Sequence, residues 1–280
     1  MTMMKKHTVL YSIIILLLFF CFPEVIISSS TSYYFRTLGI NDGLSQSTVN
    51  AILQDQKGFM WIGTKDGLNQ YDGQECRVFQ KENSSLGNNF ITALYEDCEG
   101  YIWVGTDAGV YIYNPVQEAF QFLDTEIASS GEKITRAVTW ITSDSQNNIW
   151  ISVDNQGLFC YNRGKKNLTK VVSCGKSGIA NVTHFWFYAG QLWIARYEDN
   201  LYVSKDNSSF NAFNDVDGED IFKGLVINSY VEGLHNCLYV GTSKGLMEIN
   251  LTSRKVRKLL DEYVRDICFR SDTDLWIGTE

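Results

Sequence analysis

Proline is nearly missing from this sequence, with 2 residues in 280, while glycine is abundant at 22. With 15 Tyr, 16 Phe and 7 Trp, that balance suits many short strands joined by tight turns and disfavours long helices. The low hydrophobicity of disordered chains is also missing: 45% of residues are hydrophobic, enough to bury a large core. Positive charge is in deficit. Lys and Arg number 24 against 32 Asp and Glu, a formal charge of −8, which repels a phosphate backbone and leaves no basic patch for nucleic acid.

The signatures of metal and covalent chemistry are lacking as well. Beyond the N-terminal segment only His184 and His235 remain, and neither has a partner at a spacing such as HExxH. Cys76, Cys98, Cys160, Cys174, Cys237 and Cys268 form no CxxC pair, so no metal is expected. They read as small buried thiols, although an oxidising compartment permits disulfides. No GxSxG elbow and no phosphate-cradling loop followed by Lys occurs, so neither catalytic residues nor a cofactor is expected.

One long apolar run is present, at residues 9–22, preceded by Lys5, Lys6 and His7 and followed by Pro23 and Ser28–Ser30. That is the order of an export signal, and fourteen residues is short for a membrane span of about 18–20. Residues 1–30 are therefore a cleaved signal peptide, or else an uncleaved anchor that borrows residues 25–27. Cys21 would allow lipidation, but the bulky Phe20 before it fits a lipoprotein signal poorly.

The rest of the chain repeats. Trp61-Ile62-Gly63-Thr64 recurs as Trp103-Val104-Gly105-Thr106, Trp150-Ile151-Ser152-Val153, Trp193-Ile194-Ala195-Arg196, Tyr239-Val240-Gly241-Thr242 and Trp276-Ile277-Gly278-Thr279, at spacings of 42, 47, 43, 46 and 37. Three residues before each of the first five anchors stands Gly58, Gly100, Asn147, Gly190 or Asn236, residue types that tolerate positive φ at a hairpin corner. After the anchor comes a turn residue and then apolar residues, at Gly67, Gly109, Gly157, Asn200 and Gly245. The first unit reads as strands over 48–53, 59–63, 68–71 and 76–79, and the second as strands over 91–95, 101–105, 110–113 and 119–123. Four strands in about 40–45 residues is one blade of an all-β propeller, whose anchor tryptophans pack between blades and whose small residue after the anchor lets blades approach. Asp55, Asp97 and Asp144 recur six residues before a tryptophan and are read as turn residues.

Residues 35–111 resemble the two-component regulator propeller family, the sensor part of bacterial hybrid histidine kinases. The resemblance rests on Leu44-Ser45, Asp55, Gly58, Trp61-Ile62-Gly63-Thr64, Gly67-Leu68 and Tyr71-Asp72-Gly73, then on Asp97, Gly100, Trp103, Gly105-Thr106 and Gly109-Val110. The pattern extends over 33–280 with drift: Ser152 and Ala195 replace the second anchor Gly, Asn200 the turn Gly, and Tyr239 the Trp. The resemblance implies an exported segment on the periplasmic side of the inner membrane, a binding rather than catalytic role, and an oligosaccharide or other small extracellular ligand. In a full-length relative it implies a second propeller, downstream signalling domains and a homodimer. An extracellular structural or adhesive propeller and a propeller-fold glycoside hydrolase are the alternatives.

About six repeats are present where full-length relatives carry seven blades, so an incomplete ring is expected. Residues 34–38 are expected as an outermost strand lacking its partners, and the last unit as stopping in its second strand. Ligand contacts are expected where units depart from their own pattern. In the family's strand order, the loop into the first strand and the loop after the anchor open on one face. That face would carry Arg136, Trp140, Asp154 and Asn155 from the third unit, with His184, Trp186, Arg196 and Tyr197 from the fourth.

Overall fold

Alternating apolar residues give each short segment one face to bury. In the computed structural model, which describes residues 36–173, 182–207, 209–214, 217–271 and 274–279, these segments pair as a series of sheets. The first sheet orders Val49–Gln54, Met60–Thr64, Gly67–Tyr71 and Cys76–Phe79 side by side, all antiparallel. Four further four-stranded sheets repeat that order, followed by a two-stranded sheet of Val264–Phe269 and Leu275–Thr279. In the first two sheets every strand boundary lies within one residue of the sequence expectation. Residues 36–38 are not strand, so the outermost strand expected there makes no ladder among the described residues. The export signal at 1–30 lies outside them.

The sheets belong to one compact unit, Leu38–Glu280, and their first strands stand beside one another in chain order. Those strands are Val49–Gln54, Ile91–Glu96, Val138–Ser143, Val182–Tyr188, Ile227–Glu232 and Val264–Phe269. The small residue after the anchor makes this approach possible in the first, second, third and fifth sheets. A Cβ on Gly63 would lie 2.5 Å from Ile91 Cγ2, one on Gly105 2.8 Å from Val138 Cγ1, and one on Gly241 2.7 Å from Val264 Cγ1. Each contact is with the first residue of the next sheet's first strand. Where the third unit has Ser152, its hydroxyl turns the same approach into a hydrogen bond, donating to the Val182 carbonyl at 2.9 Å.

The corner residues behave as their types dictate. Gly58, Gly100, Asn147, Gly190 and Asn236 have φ of 91°, 81°, 60°, 72° and 57°, all left-handed. Four anchor tryptophans, Trp61, Trp103, Trp150 and Trp193, are core, whereas Trp276 on the two-stranded sheet is 38% exposed, contrary to expectation; the Trp61 ring packs 5.0 Å from Tyr113 of the next sheet. Trp103 meets Tyr161 at 5.6 Å and Trp150 meets Phe187 at 5.0 Å in the same way. Burying one such side chain contributes roughly 1.5–3 kcal/mol, so these contacts between sheets dominate cohesion.

The carboxylates six residues earlier do more than turn the chain. Asp55 Oδ1 accepts the Lys57 and Phe59 backbone N–H groups, both at 2.9 Å, closing the turn, while Oδ2 accepts the Trp61 indole N–H at 2.8 Å. Asp97 and Asp144 repeat this, accepting from Trp103 at 2.7 Å and from Trp150 at 2.9 Å. The described cysteines Cys76, Cys98, Cys160, Cys237 and Cys268 are free thiols, but none is fully buried as expected: Cys76, Cys160 and Cys237 are half-buried, and Cys98 and Cys268 are exposed. Cys98 sits in a turn next to Asp97 and Cys268 on the two-stranded sheet, where less is packed over the chain. Cys174 lies outside the described residues.

Candidate functional site

Every first strand skips one residue where it pairs with its neighbour, at Asn50, Thr92, Thr139, Thr183, Asn228 and Arg265. Such a bulge kinks the strand and re-aims its side chains. Three of these residues tie adjacent sheets together: Asn50 Nδ2 donates to Ile91 O at 2.8 Å, Thr139 Oγ1 to Val182 O at 3.3 Å and Asn228 Nδ2 to Val264 O at 2.7 Å. Beside them the first strands of all six sheets enclose a cavity of about 550 Å³.

Its wall is polar and aromatic. Trp140 and His184 stand with ring centroids 4.9 Å apart, and Tyr230 lies 6.5 Å from Trp140. Four lining atoms are buried with no partner in the protein: Thr92 Oγ1, Trp140 Nε1, His184 Nδ1 and Ser229 Oγ. These four groups find no partner within the protein, so whatever fills the cavity, water or ligand, must supply one.

Burial shapes the ionisation of this wall. It holds His184 down to about 4 from an ordinary 6.5, although a hydrogen bond to the Ile227 backbone pulls the other way. The imidazole is therefore neutral at physiological pH, one nitrogen a donor and the other an acceptor. Burial likewise raises the Tyr230 phenol and the Glu232 carboxyl at the cavity rim. Two hydroxyls, an indole N–H and a neutral imidazole match the hydroxyls of a neutral polar molecule, with ring faces for its apolar side. Among the described residues, no group of three or more His, Cys, Asp or Glu is placed to hold a metal ion.

The eight residues expected on one face do not form one site. Trp140 and His184 line the cavity together. Arg136 and Asn155 line a separate open hollow of about 530 Å³ with Lys133 and Lys170. Asp154 accepts the Asn155 amide at 3.0 Å. Trp186 is 1% exposed, stacked on Tyr230 at 4.2 Å and on Trp193 at 6.0 Å in the core. Arg196 occupies the place where Thr64, Thr106 and Thr242 close their turns through hydroxyl-to-carbonyl bonds. It closes its own turn differently, pairing with Asp199 and lying 5.4 Å over the Tyr202 ring. Tyr197 is exposed on that same turn. Thr92, Ser229 and Tyr230 were not anticipated. Their signal is positional: each falls in a first strand, at or just after the bulge.

A series of four-stranded antiparallel sheets, joined through first strands around a shared cavity, is a β-propeller architecture. Comparison with known proteins finds the two-component regulator propeller pattern in two segments, residues 43–66 and 85–108. The extracellular domain of the hybrid two-component system BT3049 of B. thetaiotaomicron aligns over 89% of this chain and 34% of its own length, with 27% identity and a TM-score of 0.73. A second extracellular domain from that organism, of the one-component system BT4673, aligns over 89% of this chain and 42% of its own, at 16% identity and a TM-score of 0.52, and shares the fold. Histidine kinase P4 of Formosa agariphila is 42% identical over 50 residues, 18% of this chain and 4% of that protein. The chain thus spans about a third of the BT3049 domain and a small part of the kinase. The similar domains are extracellular regions of such signalling systems, and this chain shares their propeller fold. Among the described residues no helix is long and apolar enough to cross a membrane.

Proposed function

We propose that this segment senses a neutral oligosaccharide on the periplasmic side of the inner membrane, as part of a hybrid histidine kinase that passes the signal to transcription. The observation that carries the reading is the cavity wall: Thr92, Trp140, His184 and Ser229 offer unpaired donors and acceptors beside aromatic rings. Sugars are bound in this way, ring faces against their C–H surface and neutral polar groups on their hydroxyls. The role is binding alone. Glu232 and Asp266 are the carboxylates in the wall, but Asp266 is held by the Ile267 backbone N–H at 2.9 Å, and the neutral His184 is engaged by the Ile227 backbone rather than by a carboxylate.

The test is calorimetric titration of the chain with a panel of neutral and acidic polysaccharide fragments, followed by chromatography of the same samples. Saturable binding of a neutral fragment with no new product is expected. Turnover of any fragment, or no binding across the panel, contradicts the proposal.

A further inference from the structure

The fourth sheet breaks the pairing of anchor tryptophan with turn carboxylate. Counting six residues back from Trp193 reaches Phe187, but strand pairing decides which residue takes the carboxylate's place. In the first sheet Leu53 pairs with Trp61 and Gln54 with Met60, so Asp55 is the next residue along. In the fourth, Trp186 pairs with Trp193 and Phe187 with Leu192, so Tyr188 is the next residue. The five-residue turns at 55–59, 97–101 and 144–148 are here cut to Ala189-Gly190, both with positive φ, the tight hairpin form. The carboxylate and the bulk of its turn have gone together.

Trp193 keeps its position, 3% exposed, and its Nε1 has no partner in the protein. Beside this shortened hairpin there is a cavity of about 510 Å³ walled by Trp193, Tyr188, Gln191, Phe213 and Arg254. Its fixed charge is arranged for an anion. The Arg254 guanidinium lies 5.1 Å over the Phe213 ring and gives one N–H to Asn214 O at 2.8 Å, out of the five donors such a group carries. Lys205 is also in the wall, while Asp206 is engaged by the hydroxyls of Ser204 and Ser209 at 3.0 and 2.9 Å.

We propose that this cavity binds a small ring-bearing carboxylate, whose carboxylate takes the place of the lost aspartate against Trp193 while Arg254 neutralises it. The site is separate from the central cavity and stands whether or not that cavity binds a sugar.

The experiment is a two-dimensional ¹H–¹⁵N spectrum of the chain titrated with glucuronate and with benzoate, glucose and benzamide serving as uncharged counterparts. Trp193→Phe identifies the indole resonance. A saturable shift of that resonance by one or both carboxylates, and not by the uncharged molecules, is expected. Whichever carboxylate binds identifies the ring body as sugar or aromatic. Arg254→Gln, an exposed change, should weaken binding about tenfold or more. Tyr188→Asp, which returns a carboxylate to the sheet, should abolish it. No shift of the Trp193 resonance with either carboxylate, an equal shift with the uncharged molecules, or an Arg254→Gln chain that binds as well as the parent would overturn the proposal.

Discussion

The first three sheets and the fourth share a strand order but solve one problem differently. In sheets one to three a buried indole N–H is satisfied from within its own blade, by Asp55, Asp97 or Asp144. In sheet four the turn is shortened, the carboxylate is gone, and Trp193 Nε1 has no partner in the protein. The ring stays because it packs, 6.0 Å from Trp186 and 5.3 Å from Phe213, so apolar burial preserves the tryptophan after its polar reason has disappeared. In this sheet the packing is kept where the hydrogen bond is not. A blade that keeps its core and drops its internal partners is where space and unpaired polar groups accumulate.

The comparison can be broken most forcefully through the packing itself. Trp103→Ala removes a ring that bridges the second and third sheets and should destabilise the chain by about 3–5 kcal/mol, measured by urea unfolding. A loss under 1 kcal/mol would mean that the sheets do not depend on each other.

Next in size is the effect of acid. Burial holds His184 at about 4 when folded against 6.5 when exposed, so the folded chain resists a proton that the unfolded chain accepts. The associated stability is fully present above pH 6.5 and is lost as pH falls from 6.5 towards 4, by up to about 3 kcal/mol. Tyr230, Glu232, Arg265 and Asp266 line the same cavity, so the control is His184→Gln, which should flatten the unfolding profile over this window. An unchanged slope would contradict a buried neutral imidazole.

Asp97→Ala should cost about 2 kcal/mol, because it strips the Trp103 indole, the Glu99 and Tyr101 backbone N–H groups and Arg163 of one acceptor. The smallest effect is the sharpest. Trp193→Phe should cost about 1 kcal/mol less than Trp103→Phe, since both lose ring area but only Trp103 loses an indole bond. Equal losses would show that the carboxylate contributes nothing.

Much of this was legible in the sequence because it follows from single positions. The corners at Gly58 to Asn236 need residues that tolerate left-handed backbone, and Gly63, Gly105 and Gly241 need the absence of a Cβ, so residue type alone reveals both. The bond from Asp to Trp was readable only in part. A spacing of six suggested a turn, whereas the indole contact depends on strand register. The central cavity was hidden because it is assembled from six strands about forty residues apart, and the bulges that re-aim its side chains leave no composition signal. Trp140 and His184 surfaced as departures from the repeat. Arg136, Asp154, Asn155, Arg196 and Tyr197 departed too, but they stand in loops and in self-closed turns.

The most direct test of the sensing account is affinity for a neutral oligosaccharide, compared between the parent chain and Trp140→Phe, which keeps a ring and removes the indole N–H. Calorimetry should show a loss of about tenfold, with Arg254→Gln in the fourth-sheet cavity leaving the value unchanged. Equal binding by Trp140→Phe, or a loss confined to Arg254→Gln, would place the sugar outside the central cavity and contradict the account.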